Sequence, residues 1–218
     1  MTTWERTYPF SWLGILAAVP PSLEEIIYAW HERGFALHSM RTPHVTRLYL
    51  QCPPDDQLDA WPDHRVWEEL SVRLATAGGW SLNDGPVLDK SITAMRSFVM
   101  EPMQYGRLFL AGDAAHVVPP TGAKGMNLAL ADVRVLGDAL AAWYRTGDSA
   151  GLERYSSSCL RRVWRAEHFS WWMTSMLHRF PGDDDFQAKL QLAQLRYVCT
   201  SVAAATSLAE NYVGLEDV

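Results

Sequence analysis

The residues with the clearest chemical potential lie between Gly112 and Asn127, in the run GDAAHVVPPTGAKGMN. The preceding residues, 107–111, read as a buried strand that delivers Gly112 and Asp113 to its carboxyl end. A carboxylate in that position accepts a hydrogen bond from a ligand hydroxyl. Gly122 and Gly125 permit close approach of the backbone to a ligand. A helix starts near Met126, so its unpaired N–H groups and the positive end of its dipole face whatever the loop encloses. Such an arrangement suits a group that acquires negative charge. A plain Gly/Pro turn between strand and helix is the blander reading, and Gly-Asp alone supports nothing more. A phosphate loop is disfavoured, because Gly125 follows Lys124 where a Ser or Thr for magnesium is needed.

The elements that must position this run alternate in kind. Residues 24–30, 34–41 and 45–51 are rich in β-branched and aromatic types, with His31-Glu32-Arg33-Gly34 and Thr42-Pro43-His44 as turns. They read as an antiparallel meander. The apolar run 10–19 reads as a buried strand, since Glu5 and Arg6 precede it, no cleavage pattern follows it and it is too short to span a bilayer. Residues 63–75 carry Val66, Trp67, Leu70 and Leu74 at helical spacing. Strands are expected at 91–100 and 107–111, and helices at about 126–144, 152–177 and 185–208, with a break at 147–151. Strands first and helices last imply an α+β chain with α/β character and an all-helical tail.

Composition narrows the function classes. The 218 residues are 48% hydrophobic and 20% charged, as in a soluble globular protein. A formal net charge of −6 argues against a nucleic-acid partner, because no basic surplus exists to displace counterions. The basic run Arg161, Arg162 and Arg165, flanked by Glu153 and Glu167, reads as a solvated helix face. Cys52, Cys159 and Cys199 are far apart and form no CxxC, which fits a reducing cytosol and suggests neither a disulfide framework nor a zinc site. His31, His38 and His44 lack metal-ligand spacing, and His116 is assigned no catalytic role. Trp164, Trp171, Trp172, Met173 and Met176 form an apolar helix surface suited to a core or a subunit interface.

The run 112–127 resembles the second flavin motif of the class A flavoprotein aromatic hydroxylases, and its PPTGAKG version is similar to that of the members acting on 4-hydroxybenzoate. The segments YPFSWLGILA, IIYAWHERGFALHSMR, RSFVMEPMQYGRLFLAGDAAH, RRVWRAEHFSWWMTSMLHRFP and AENYVGL extend the likeness from about Glu5 to Leu215, in the family's order. The resemblance implies antiparallel substrate-domain strands with one helix over residues 1–100. It implies the C-terminal part of an FAD-binding domain over 101–146, and a helical region with a possible dimer interface over 147–218.

The resemblance also implies roles. Gly112, Asp113, Gly125, Met126 and Asn127 would hold FAD, with Asp113 on the ribityl chain and the backbone of Met126 and Asn127 at the ring. Arg47 would sit near the flavin, and Arg96 along the path of NADPH or NADH. Ser39, Met40, Arg41 and Tyr49 would hold the substrate, three of them through its carboxylate. Tyr28 and the Pro120 carbonyl would meet its phenol, with Tyr212 completing a proton relay through Tyr28. Losing the phenolic proton enriches the ring in electrons, which favours attack on an electrophilic oxygen carried by the flavin. The expected activity is the FAD-dependent hydroxylation of 4-hydroxybenzoate to 3,4-dihydroxybenzoate with dioxygen, in a cytoplasmic homodimer.

The residues themselves are compatible with that assignment. Ser39 and Arg41, two apart on a strand, share a face, and a turn centred on His44 places Tyr49 opposite Ser39. A guanidinium with two hydroxyls suits a carboxylate. On spacing alone, Arg41 and Tyr49 read as ordinary half-buried strand residues, and the resemblance decides between the two readings. No GxGxxG occurs in the chain, although the family begins with that fingerprint. The expectation is therefore the C-terminal portion of such an enzyme. Alternatives are an inactive fragment that at most binds an aromatic acid or a partner subunit, and a hydroxylase of a related hydroxybenzoate.

Overall fold

The computed structural model describes residues 1–214. Its elements run β1 (Thr2–Ala17), β2 (Ile27–Ala29), β3 (Ala36–Thr42), β4 (Val45–Cys52), α1 (Asp63–Arg73) and β5 (Val87–Glu101). Short strands β6 (Gln104–Tyr105), β7 (Leu108–Phe109) and β8 (His116–Val117) follow, then α2 (Gly125–Thr146), α3 (Ala150–Leu177), α4 (Asp185–Thr200) and α5 (Val202–Val213). The last residue of the AENYVGL segment, Leu215, lies outside the described residues.

Two compact units emerge, neither continuous in sequence. The first comprises Met1–Thr7, Arg96–Thr174 and the described residues from Arg196 onward; the second comprises Tyr8–Met95 and Ser175–Leu195. The boundaries fall inside β1, β5, α3 and α4, so these units divide the chain differently from the blocks 1–100, 101–146 and 147–218.

In the second unit the strands pair antiparallel, β2 with β3, β3 with β4 and β4 with β1. Alternation sorts their side chains onto two faces. One face carries Leu13, Ile15, Ala17, Ala36, Leu48 and Leu50, all essentially inaccessible. Val66, Leu70 and Leu74 of the α1 segment pack against them, as their helical spacing requires. Each such fully buried aliphatic side chain contributes about 1.5–3 kcal/mol relative to exposure. The other face carries Trp12, Gly14, Tyr28, Leu37, Ser39, Arg47 and Tyr49, and every candidate carboxylate contact with a strand partner lies there.

The first unit is built around α2 and α3. Val99 and Met103 pack with Ala115 and with Tyr155, Cys159 and Val163 of α3. Phe98 and Val99 of β5 pair with Val117 and His116 of β8. Three expectations need revision. The buried strand read over 107–111 is reduced to the two-residue β7, paired among the described residues only with β6 and with Leu108 56% exposed. Residues 185–208 form two helices, because Ser201 adopts an extended conformation (φ −94°, ψ 118°) and its hydroxyl caps α5 by accepting from the Ala204 N–H at 3.3 Å. Glu167 belongs to no solvated face: it is 5% exposed and buried in the first unit. Among the described residues, no helix is long and apolar enough to cross a membrane, and no cluster of His, Cys, Asp or Glu is placed to hold a metal ion.

Candidate functional site

The Gly112–Asn127 segment belongs wholly to the first unit, where a buried carboxylate organises its start. Asp132, about two turns into α2, accepts from the Gly112 N–H at 3.1 Å and from His116 Nε2 at 2.7 Å through the same oxygen. Both side chains are about 1% exposed. His116 ties β8 to α2 through this contact. Gly112 takes a left-handed conformation (φ 60°), and a Cβ there would come within 3.1 Å of Ala129 Cβ. Its lack of a side chain serves helix packing as well as the turn.

The two later glycines do different work. A Cβ on Gly122 would approach Ser170 Oγ to 2.4 Å, so Gly122 makes room for α3 and not for a ligand. That corrects the reading of Gly122 as a ligand-approach position. Thr121, fully buried, sits 2.9 Å from the Thr174 hydroxyl, which docks the same turn onto α3. Gly125 has nothing within 4 Å of an added Cβ and is open on that side. Between them, Ala123 adopts φ 52° and ψ 38°, a left-handed conformation at a non-glycine residue. A β-carbon costs roughly 1 kcal/mol there, which the docking of its neighbours on both sides holds in place.

This loop lines an open cleft with Asp113, Pro120, Ala123, Gly125 and Met126 around it. Asp113, Pro120 and Met126 are exposed toward solvent. The cleft meets the start of α2, where Lys124 is the N-cap without a side-chain cap and the first helical bond is Leu128 N–H to the Lys124 carbonyl at 3.0 Å. The N–H groups of Gly125, Met126 and Asn127 have no intrahelical acceptor. Asn127 lies on the neighbouring side of that turn, in a separate pocket with Lys124 and Arg165. An isoalloxazine edge fits the donors at the α2 terminus, the bare flank of Gly125 suits a flat ring, and Asp113 is accessible to a ribityl hydroxyl.

Lys124 went unassigned in the sequence, yet it anchors the region. It is 8% exposed, its ammonium donates to the Tyr212 carbonyl, and it lies 5.4 Å from the Phe169 ring centroid and 5.6 Å from that of Tyr212. Burial, reinforced by Arg165, lowers its pKa below the usual lysine value. Tyr212 is thereby held through its backbone, with its ring edge-on to Phe169 at 6.2 Å. Arg96 is exposed and makes a long ion pair with Glu5 at 3.9 Å. Such a pair contributes little and leaves the guanidinium easy to recruit.

The second unit holds Tyr28 and the candidate carboxylate contacts, with one change of register. Ser39 pairs with Arg47 and Leu37 pairs with Tyr49, so Tyr49 is two residues away from the position opposite Ser39 that a turn centred on His44 implies. The turn is tighter, with Thr42 paired to Val45, and the register shifts between Met40 and Thr42. The extra residue is Arg41, placed in a β-bulge. The simple alternation that puts Arg41 on Ser39's face is therefore interrupted there, and Arg41 is exposed with no ion pair among the described residues. Met40 pairs with Thr46 on the opposite face from Ser39 and is 47% exposed. The displacement is an even number of residues, so Ser39, Arg47 and Tyr49 still share a face. The Ser39 hydroxyl donates to the Arg47 carbonyl at 3.2 Å. To bind a carboxylate it must redirect that single proton.

On this face stands an aromatic group that sequence reading passed over. The Trp12 indole N–H donates to His178 Nε2 at 2.7 Å, and the imidazole stacks on Phe35 at 4.4 Å and on Phe10 at 4.7 Å. Tyr49 packs 4.9 Å from Trp12 and across Gly14, whose added Cβ would come within 3.1 Å of the Tyr49 ring. Tyr28, half-buried and paired with Leu37, lies 6.1 Å from Phe35. Gly14 and Trp12 are the readable signal, since a lone glycine inside an apolar strand marks the close approach of another group.

A family model described as an FAD binding domain matches residues 1–170. The chain belongs to that family. It is 54% identical to p-hydroxybenzoate hydroxylase of Acinetobacter baylyi over 213 residues, which are 98% of this chain and 53% of the relative. The chain thus spans about half the length of that curated relative. Among solved structures, p-nitrophenol 4-monooxygenase PnpA of Pseudomonas putida matches with a TM-score of 0.71 at 18% identity, covering 97% of this chain and 55% of that one. Aklavinone-11 hydroxylase, in a complex with FAD and aklavinone, matches with a TM-score of 0.68 at 22% identity over 81% of this chain and 34% of its own. These two show a shared fold.

Proposed function

We propose that this chain supplies the flavin-ring face and the substrate-carboxylate face of an FAD-dependent, NAD(P)H-using monooxygenase that converts 4-hydroxybenzoate to 3,4-dihydroxybenzoate. The observation that carries the reading is the open cleft at the uncapped start of α2, bordered by Asp113, Pro120 and Gly125, in a chain 54% identical to p-hydroxybenzoate hydroxylase. When bound, the reduced flavin activates dioxygen and provides an electrophilic oxygen. The Gly125–Asn127 N–H groups would stabilise negative charge on the bound flavin ring, and Asp113 would accept from a ribityl hydroxyl. Arg41 and the hydroxyls of Ser39 and Tyr49 hold the substrate carboxylate. The neutral phenol donates its single proton to the Pro120 carbonyl, or turns it to Tyr28, which takes it while giving its own hydroxyl proton to Tyr212, and Tyr212 releases a proton to water. Arg47 and Arg96 serve the flavin and the nicotinamide nucleotide. The complete enzyme is a cytoplasmic homodimer on this reading.

The test is equilibrium binding of 4-hydroxybenzoate to the complete flavoprotein, followed by perturbation of the flavin absorbance. Arg41→Ala weakens binding by at least about tenfold, the loss of one charge-assisted contact. Unchanged affinity would remove Arg41 from the site. Equal or better turnover of a different hydroxybenzoate would reassign the substrate.

A further inference from the structure

A further pocket lies in the second unit, around the end of β4 and one side of α1, and is lined by four arginines against a single carboxylate. The paired part is easily identified. Glu69 bridges Arg33 at 2.9 Å and Arg73 at 2.9 Å, and Arg73 also donates to the carbonyls of Phe35 and Gln51 at 3.3 and 2.8 Å. The other two guanidiniums have no carboxylate partner among the described residues. Arg65 sits over the Trp61 ring, its Cζ 4.0 Å from the centroid, and donates to the Ala60 carbonyl. Arg179 donates to the Asp183 carbonyl at 3.2 Å, while its Nη1 is buried with no acceptor. Gln51 fixes the Arg179 backbone, accepting from its N–H at 3.1 Å and donating to its carbonyl at 2.5 Å.

The pocket that these two cations help to line is also lined by flat apolar groups, chiefly Pro53, Pro54, Phe180 and Pro181. A guanidinium without a counter-ion favours an anion, and proline and phenyl rings favour a planar face. Two such guanidiniums on separate elements suit a ligand with two acid groups. We infer that this pocket binds a planar aromatic dicarboxylate through Arg65 and Arg179. The inference is independent of the flavin reading, because none of the residues assigned to flavin or substrate lines the pocket.

The experiment is calorimetric titration of the 218-residue chain with terephthalate, benzoate, inorganic phosphate and benzyl alcohol. Terephthalate binds at sub-millimolar concentration and at least about tenfold more tightly than the other three probes. Arg65→Glu abolishes that binding. Arg65→Lys, which keeps the charge and shows the same thermal unfolding as the parent, retains part of it, and Arg41→Ala leaves it unchanged. No terephthalate binding in the millimolar range overturns the proposal. So does phosphate binding as tightly as terephthalate, which would leave a general anion patch, or loss of binding in Arg41→Ala but not in Arg65→Glu, which would place the ligand on the candidate substrate face.

Discussion

Single atoms decide how the Gly112–Asn127 segment is held. One oxygen of Asp132 serves both the Gly112 N–H and the His116 imidazole in a site closed to water. Removing it strands two buried polar groups, each costing about 1–3 kcal/mol. Asp132→Ala therefore destabilises the chain by about 3 kcal/mol, measured as a lower urea midpoint at constant slope. The contact at Gly122 is steric. Gly122→Ala forces a methyl against Ser170 Oγ and costs about 1–3 kcal/mol as an overpacked core position. Adding Ser170→Gly removes the obstructing hydroxymethyl, so the pair is non-additive and the double variant regains part of the loss. Additive losses in the cycle would show that the close approach is not what requires glycine.

Elements carry the next set of consequences, and the clearest concerns α3. Glu167 projects from it into the first unit, where its Oε2 accepts from the Ser97 hydroxyl at 2.8 Å and its Oε1 has no partner. Burial raises its pKa from 4.5 to about 7, with Ser97 and His116 opposing the rise. The folded value lies above the unfolded one, so the protonated carboxyl contributes stability that is whole below about pH 4.5 and is lost as pH rises through about 7. The contribution is no more than about 3 kcal/mol. Denaturant unfolding at pH 5 and pH 8 shows a larger loss for the parent than for Glu167→Gln, which cannot ionise; parallel losses would exclude the carboxyl as the cause. Much of this element level was legible beforehand. The alternation in β3 and β4 and the spacing of Val66, Leu70 and Leu74 gave the sheet, its buried face and the helix covering it. Ser201 ended a helix that periodicity alone continued, because a cap is a local hydrogen bond and not a pattern. The bulge at Arg41 was equally invisible, since nothing in Met40-Arg41-Thr42 marks where the ladder slips. Gly122 and Gly125 looked equivalent in the sequence and differ only in what lies beside them, which a linear reading does not contain.

For the whole molecule, the proposed ring and ribityl contacts lie among the described residues, while no GxGxxG for a pyrophosphate occurs in the chain. The 218-residue chain by itself therefore binds FAD no more tightly than riboflavin, as fluorescence quenching of the two flavins would show. A preference for FAD of more than about tenfold would mean that the chain holds a pyrophosphate site of another kind. The bulge in β3 has a further meaning for how such a molecule changes over time. Arg41 stands outside the hydrogen-bonded ladder and on the surface, so replacing it disturbs neither strand pairing nor core. In a scaffold that reads its ligand through that side chain, acid preference can drift, or be redesigned by saturation at one codon, without rebuilding the sheet that presents it.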